Sequence, residues 1–129
     1  MKTPSDLLYT KHDEWVRVKD NVGLIGITDY AQDQLSDIVF VEIVAFEDDD
    51  LDQGETCAIV ESVKAAADVY MPVSGKIIDI NETLVDSPEL VNEDPYGDAW
   101  MVKVELTDPG ELDDLMDAET YKNLERDDH

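Results

Sequence analysis

Short runs of β-branched and aromatic residues, each closed by turn-forming residues, recur along the chain and set the tightest limit on its fold. Trp15-Val16-Arg17-Val18-Lys19 alternates with the period of a half-buried strand, Asp20-Asn21-Val22-Gly23 offers a turn, and Leu24 to Thr28 returns as an apolar run, so a hairpin is expected. Ile38 to Val44 reads as a buried strand, Cys57 to Val60 and Val69 to Val73 as extended segments, and Lys76 to Ile80 and Trp100 to Leu106 as further strands. Helical signals are few. Asp29 with Gln32 resembles a capping box ahead of a short helix over Tyr30 to Leu35. Asp108 caps a predicted helix that starts at Pro109 and turns Leu112, Leu115 and Met116 inward, and a second short helix follows through Tyr121 and Leu124. Glu82 to Gly97, with Ser87-Pro88 and Asp94-Pro95, reads as loop with one turn of helix around Glu89 to Val91. The class is therefore mainly β with a small helical addition at the C-terminal end.

Charge narrows the function. The 129 residues carry 33 acids against 9 Lys and Arg, a net charge of −24, which opposes both a phosphate backbone and an anionic membrane face, so no nucleic-acid or membrane partner is expected. With 43% apolar residues the chain can build a core, and the acids occur in nearly every block of ten, which fits a surface adapted to concentrated salt. A dedicated acidic site, for cations or in mimicry of nucleic acid, is the rival. Asp48, Asp50 and Asp52 invite a calcium-loop reading, but Gln53 stands where the loop needs glycine and Ile59 where it needs a bidentate glutamate, so a solvated turn is expected from Glu47 to Glu55 and no metal site. Met1 to Thr10 holds no apolar run of signal-peptide length and no segment reaches the length of a membrane span, so a cytoplasmic protein is expected.

Catalytic parts are scarce. His12 and His129 are the two histidines, Cys57 is the lone cysteine and sits among Ala58, Ile59 and Val60 as a small buried hydrophobe, and Gly23-Leu24-Ile25-Gly26 lacks the third glycine of a dinucleotide fingerprint. No catalytic residue is assigned. Lys64, in contrast, is the only basic residue between Lys19 and Lys76 and lies between two apolar runs, a single distinct amine in an acidic chain. Ala65-Ala66-Ala67 beside it suits helix as well as strand.

Glu61-Ser62-Val63-Lys64-Ala65, followed by Asp68-Val69-Tyr70-Met71-Pro72-Val73-Ser74-Gly75, resembles the lipoyl attachment motif of the glycine cleavage system H protein family. Further landmarks of that family follow in order: His12 to Arg17, Gly26 to Gln32, Asp37 to Glu42, Val91 to Gly97 and Trp100 to Val104, a resemblance over roughly residues 8 to 125. Biotin carriers usually place Met on both sides of the lysine, and the lipoyl domains of 2-oxoacid dehydrogenases usually place Asp before it, whereas Val63 and Ala65 flank Lys64.

The resemblance implies a barrel-sandwich hybrid, or lipoyl/biotinyl hammerhead, with extra N-terminal strands, a short helix and a C-terminal helix. It implies one domain over residues 1–129, a lipoyl-binding core over about 22–104, and strand rather than helix at Ala65 to Ala67. Lys64 would carry lipoic acid at a hairpin tip, with Glu61, Ser62, Val63, Ala65 and Gly75 as the recognition motif around it, and Glu14 and Asp68 match positions where the loaded arm would dock. Here His12 is separated from Glu14 by Asp13, where the family commonly has His directly before Glu. The implied role is non-catalytic. A pyridoxal-phosphate glycine decarboxylase (P protein) would load the arm with an aminomethyl group and an aminomethyltransferase (T protein) would pass the methylene to tetrahydrofolate. Dihydrolipoyl dehydrogenase (L protein) would reoxidise the arm, and a lipoate ligase or lipoyl transferase would install it. A monomer is expected, and an H-like lipoyl-relay protein is the alternative within carriers.

Overall fold

The computed structural model describes residues 2–124; His129 lies outside them. Its first hairpin follows from backbone sterics. Asp20 and Asn21 both adopt positive φ, 53° and 65°, the left-handed region that short polar side chains tolerate, and this two-residue turn joins β2 (Glu14–Lys19) to β3 (Val22–Ile27) in the twist that antiparallel strands favour. The turn is tighter than the sequence suggested, since Val22 and Gly23 already belong to β3 and pair with Lys19 and Val18.

Two antiparallel sheets result. The larger adds β1 (Leu8–Tyr9), β5 (Asp50–Leu51), β8 (Gly75–Ile80) and β9 (Val102–Leu106) to the hairpin, in the order β1-β2-β3-β9-β8-β5. The smaller comprises β4 (Ile38–Ile43), β6 (Thr56–Ser62) and β7 (Ala66–Tyr70), in the order β4-β6-β7. Ile25, Ile77, Met101 and Val104 from the large sheet and its flanks meet Val41, Val60 and Val69 from the small one in a single buried cluster. Cys57 lies fully buried in it, and burial pushes its thiol up to about 12. A second cluster joins Tyr9, Trp15, Tyr96 and Tyr121, where Trp15 Nε1 donates to the carbonyls of Ile27 and Pro95 at 2.9 and 3.0 Å.

Several local expectations shift. The helix α1 (Asp29–Leu35) is capped by Thr28, whose hydroxyl accepts from Ala31 N at 3.2 Å, so Asp29 is a first-turn residue that accepts from Gln32 Nε2 and not the cap. The acidic segment includes β5, whose Asp50 and Leu51 pair with Lys76 and Gly75. Residues 82–97 hold two one-turn helices, α2 (Thr83–Asp86) and α3 (Leu90–Glu93), which bury Leu84 and Val91. Residues 71–73 and Trp100 lie outside the strands. Pro109–Asp114 forms a 3₁₀ helix that Asp108 does not cap through its side chain, and Leu112, Leu115 and Met116 are only half-buried: Leu112 alone lies on that helix, while Leu115 is its extended C-cap and Met116 pairs with Tyr9 in an isolated bridge. Asp117 caps α4 (Ala118–Lys122), whose Tyr121 stacks on Tyr9 with ring centroids 4.6 Å apart. Among the described residues no helix is long and apolar enough to cross a membrane.

Candidate functional site

Lys64 stands exposed at the tip of the β6–β7 hairpin, in the three-residue turn Val63-Lys64-Ala65. Ser62 organises that turn: its hydroxyl oxygen accepts from Lys64 N at 3.2 Å and Ala65 N at 3.0 Å and donates to the Ala65 carbonyl at 3.1 Å. The backbone N–H groups of a tight turn are thus satisfied without the lysine side chain. A second support comes from outside the hairpin. Val63 N donates to the Asp37 carbonyl at 3.1 Å, and the residues flanking Asp37 are fixed by Asn92, which accepts from Ile38 N and donates to the Ser36 carbonyl, both at 2.8 Å. The ammonium therefore extends from a braced backbone.

The remaining motif residues divide. Glu61 pairs across the strands with Phe40 and Ala66, and Asp68 pairs with Ile59, which itself pairs with Glu42; all of these belong to the outward face of the small sheet. Gly75 is buried at the start of β8. A Cβ there would come within 2.8 Å of the Glu105 carbonyl, so glycine lets β8 approach β9.

Glu14 is deeply buried, with 2% of its surface exposed, and forms part of the wall of a cleft of about 860 Å³ together with Thr10, His12, Tyr70, Leu115 and Met116. Its Oε1 accepts from Thr10 Oγ1 at 2.5 Å and its Oε2 from Tyr70 N at 3.1 Å. Burial raises its pKa above the ordinary glutamate value, against the opposing pull of those two hydrogen bonds. The rings of His12 and Tyr70 meet edge to face, with centroids 5.5 Å apart. Asp68 is exposed on β7 and does not line this cleft. It lies two residues before Tyr70 on the same strand face, between the tip and the cleft, about 7 Å along β7 from Ala66 at the usual rise of 3.3 Å per residue. Nothing in the sequence brings Thr10, Tyr70, Leu115 and Met116 to one place, since the cleft gathers them from segments far apart in the chain.

Two packed antiparallel sheets that present one lysine on a braced hairpin define a carrier of the barrel-sandwich type. The sequence model described as Glycine cleavage H-protein matches residues 7–128. The chain belongs to that family. It is 51% identical over 121 residues to the glycine cleavage system H protein of Carboxydothermus hydrogenoformans, covering 94% of this chain and 92% of the relative. With that of Staphylococcus haemolyticus it shares 55% identity over 124 residues, 96% of this chain and 98% of the relative. The crystal structure of a glycine cleavage system H protein from Mycobacterium marinum superposes with a TM-score of 0.83 at 35% identity, covering 92% of this chain and 94% of that one. The family is that of the carrier component of glycine cleavage.

Proposed function

We propose that Lys64 bears lipoic acid in amide linkage and that the chain, as one non-catalytic domain over residues 1–129, carries the aminomethyl group of glycine between enzymes. In this reading a pyridoxal-phosphate glycine decarboxylase loads the arm, a tetrahydrofolate-dependent aminomethyltransferase unloads it, and dihydrolipoyl dehydrogenase restores its disulfide. The chain acts as a monomer in the cytoplasm.

The observation that carries this reading is the exposed Lys64 on a turn whose backbone is satisfied by Ser62, which leaves the side chain free to be acylated. When bound, the lipoyl group supplies a cyclic disulfide that opens to accept a carbon unit and closes again on oxidation. The chain's own residues supply position and shelter. Amide formation removes the charge of Lys64, Asp68 offers a carboxylate along the strand, and the cleft beside Tyr70 offers an apolar wall with Glu14 in it. A cationic amine arriving there would favour the ionised form of Glu14, which burial otherwise disfavours.

Intact-mass and peptide analysis of the protein from its native host is expected to find one lipoyl group, on Lys64. The lipoylated protein is then expected to support glycine decarboxylation with the P protein. Unmodified Lys64 would overturn the proposal, and a lipoylated chain inert with the P protein would favour the relay alternative.

A further inference from the structure

Among the described residues six large apolar side chains are exposed, and Phe46, Ile78 and Val85 lie apart from the other three. Val39, Phe40 and Val63 are 54%, 43% and 68% exposed, and all three stand at the Lys64 end of the small sheet. A bulge puts two of them there. The register of β4 against β6 slips between Ile38 and Phe40, so Ile38 and Val41 both enter the core while Val39 and Phe40 both turn outward. Phe40 lies across from Glu61 and Val63 N is bonded to the Asp37 carbonyl, which makes strand and tip one continuous surface. Asp37, Glu42, Glu61 and Asp68 rim it, all exposed, and Lys64 is the one cation in the sequence from residue 20 to 75.

We propose that Val39, Phe40 and Val63 form the docking surface for the enzyme that acylates Lys64, a partner with an apolar slot ringed by Arg and Lys. The inference rests on the functional reading above. Its reason is reach. Enzymes that act on the end of an installed arm can work a full arm length from the tip, whereas the acylating enzyme must bring an activated acyl carbon within one lysine side chain of the backbone and therefore touches what surrounds it. In that step deprotonated Lys64 Nζ attacks the carbonyl carbon of a lipoyl adenylate. The amide C–N bond forms, the C–O bond to the phosphate breaks, and AMP leaves with the bonding pair while one proton passes to solvent. Apart from Val63 the motif provides only small or acidic contacts, so Val39 and Phe40 complete with Val63 the desolvated centre and the acids match a basic rim.

The test is steady-state acylation of the full-length unmodified chain by a lipoate ligase with lipoate and ATP, read as lipoyl mass on Lys64. The Phe40→Ser and Val63→Ser double variant is expected to raise KM for the chain about tenfold with kcat within about twofold, because uniform binding has been removed. Phe40→Leu keeps an apolar contact and is expected to stay near the wild type. Phe46→Ser, at a residue 70% exposed beyond the far end of β4, is expected to change nothing. Should Phe40→Ser lower the thermal transition, Val63→Ser alone, in the exposed turn, carries the same comparison. Unchanged KM in the serine variants, or a fall in kcat alone, would overturn the docking surface while leaving lipoylation intact. A wild-type chain that takes no lipoyl group would overturn the functional reading and this surface with it.

Discussion

The carboxylate of Glu14, on β2 of the large sheet, accepts a hydrogen bond at 3.1 Å from the backbone N–H of Tyr70, the last residue of β7 in the small sheet. One side chain thus ties the N-terminal hairpin to the strand that descends from Lys64. A carboxylate held this far from water is costly when ionised, and its position in the cleft wall gives a reason to keep it.

Glu14 predicts a specific pH dependence. Its folded pKa lies above the ordinary glutamate value of 4.5, mainly through burial. A raised carboxyl pKa contributes stability that is fully present below the unfolded value and is lost as pH rises through the folded one. Glu14→Gln keeps an acceptor for Tyr70 N but has no charge to desolvate. The variant is therefore expected to gain stability relative to wild type as pH climbs from about 4.5 toward neutrality. Urea midpoints of both proteins across that range check this; a constant difference would contradict it.

Gly75 provides a test of packing against recognition. A methyl group there meets the Glu105 carbonyl at 2.8 Å and Val104 Cβ at 3.1 Å, neither of them the yielding end of a long side chain. Gly75→Ala is expected to cost about 1–3 kcal/mol by overpacking. Acylation of Lys64 measured well below the variant's melting temperature is expected to match the wild type. A folded variant that resists acylation would show a direct contact at Gly75 instead.

The β2–β3 turn depends on Asn21, which holds φ of 65° and donates from Nδ2 to the Leu106 carbonyl at 3.0 Å. Asn21→Ala loses the bond and places a residue without a polar side chain in the left-handed region, at an expected cost of about 1–2 kcal/mol. Asn21→Gly loses only the bond and is expected to cost less. Equal unfolding midpoints for the two variants would remove backbone conformation as the cause.

Strand positions were legible where apolar alternation or turn chemistry is local. Trp15 to Lys19 and Lys76 to Ile80 need no distant partner to be read, and their strands lie within a residue of the expected bounds. Elsewhere a contact overrode a plausible local pattern. Asp29 fits a cap as well as Thr28 does, and only the chain's path from β3 decides between them. Ile38 to Val41 is apolar on both sides, so nothing local announces the bulge that exposes Val39 and Phe40. Strand at Ala66 and Ala67 came from resemblance, not periodicity, and Ala65 itself lies in the turn. The cleft was hidden for a different reason. Thr10 and Leu115 adjoin through the pairing of Tyr9 with Met116, a contact between the two ends of the chain.

Salt is expected to stabilise this protein. Even if each of the 9 Lys and Arg neutralised one acid, 24 of the 33 would remain uncompensated. Arg17–Asp6 at 3.4 Å and Lys76–Asp48 at 3.9 Å are surface pairs on exposed or half-exposed side chains, each worth less than about 1 kcal/mol. Screening weakens those attractions and the far more numerous repulsions together, and the repulsions prevail by number. As ionic strength rises from about 0.01 M to 1 M the Debye length falls from about 30 Å to about 3 Å, shorter than most spacings between surface charges. The melting temperature is therefore expected to climb with KCl over that range, most steeply at the low end. Repeating the series near the sequence pI of 4.1, where the carboxylates are largely neutralised, separates screening from a general salt effect, and the climb is expected to flatten there. A melting temperature at neutral pH that stays level or falls between dilute and molar KCl would mean that the acidic surface is not self-repelling enough to matter, and the salt-adapted reading of the charge would fail.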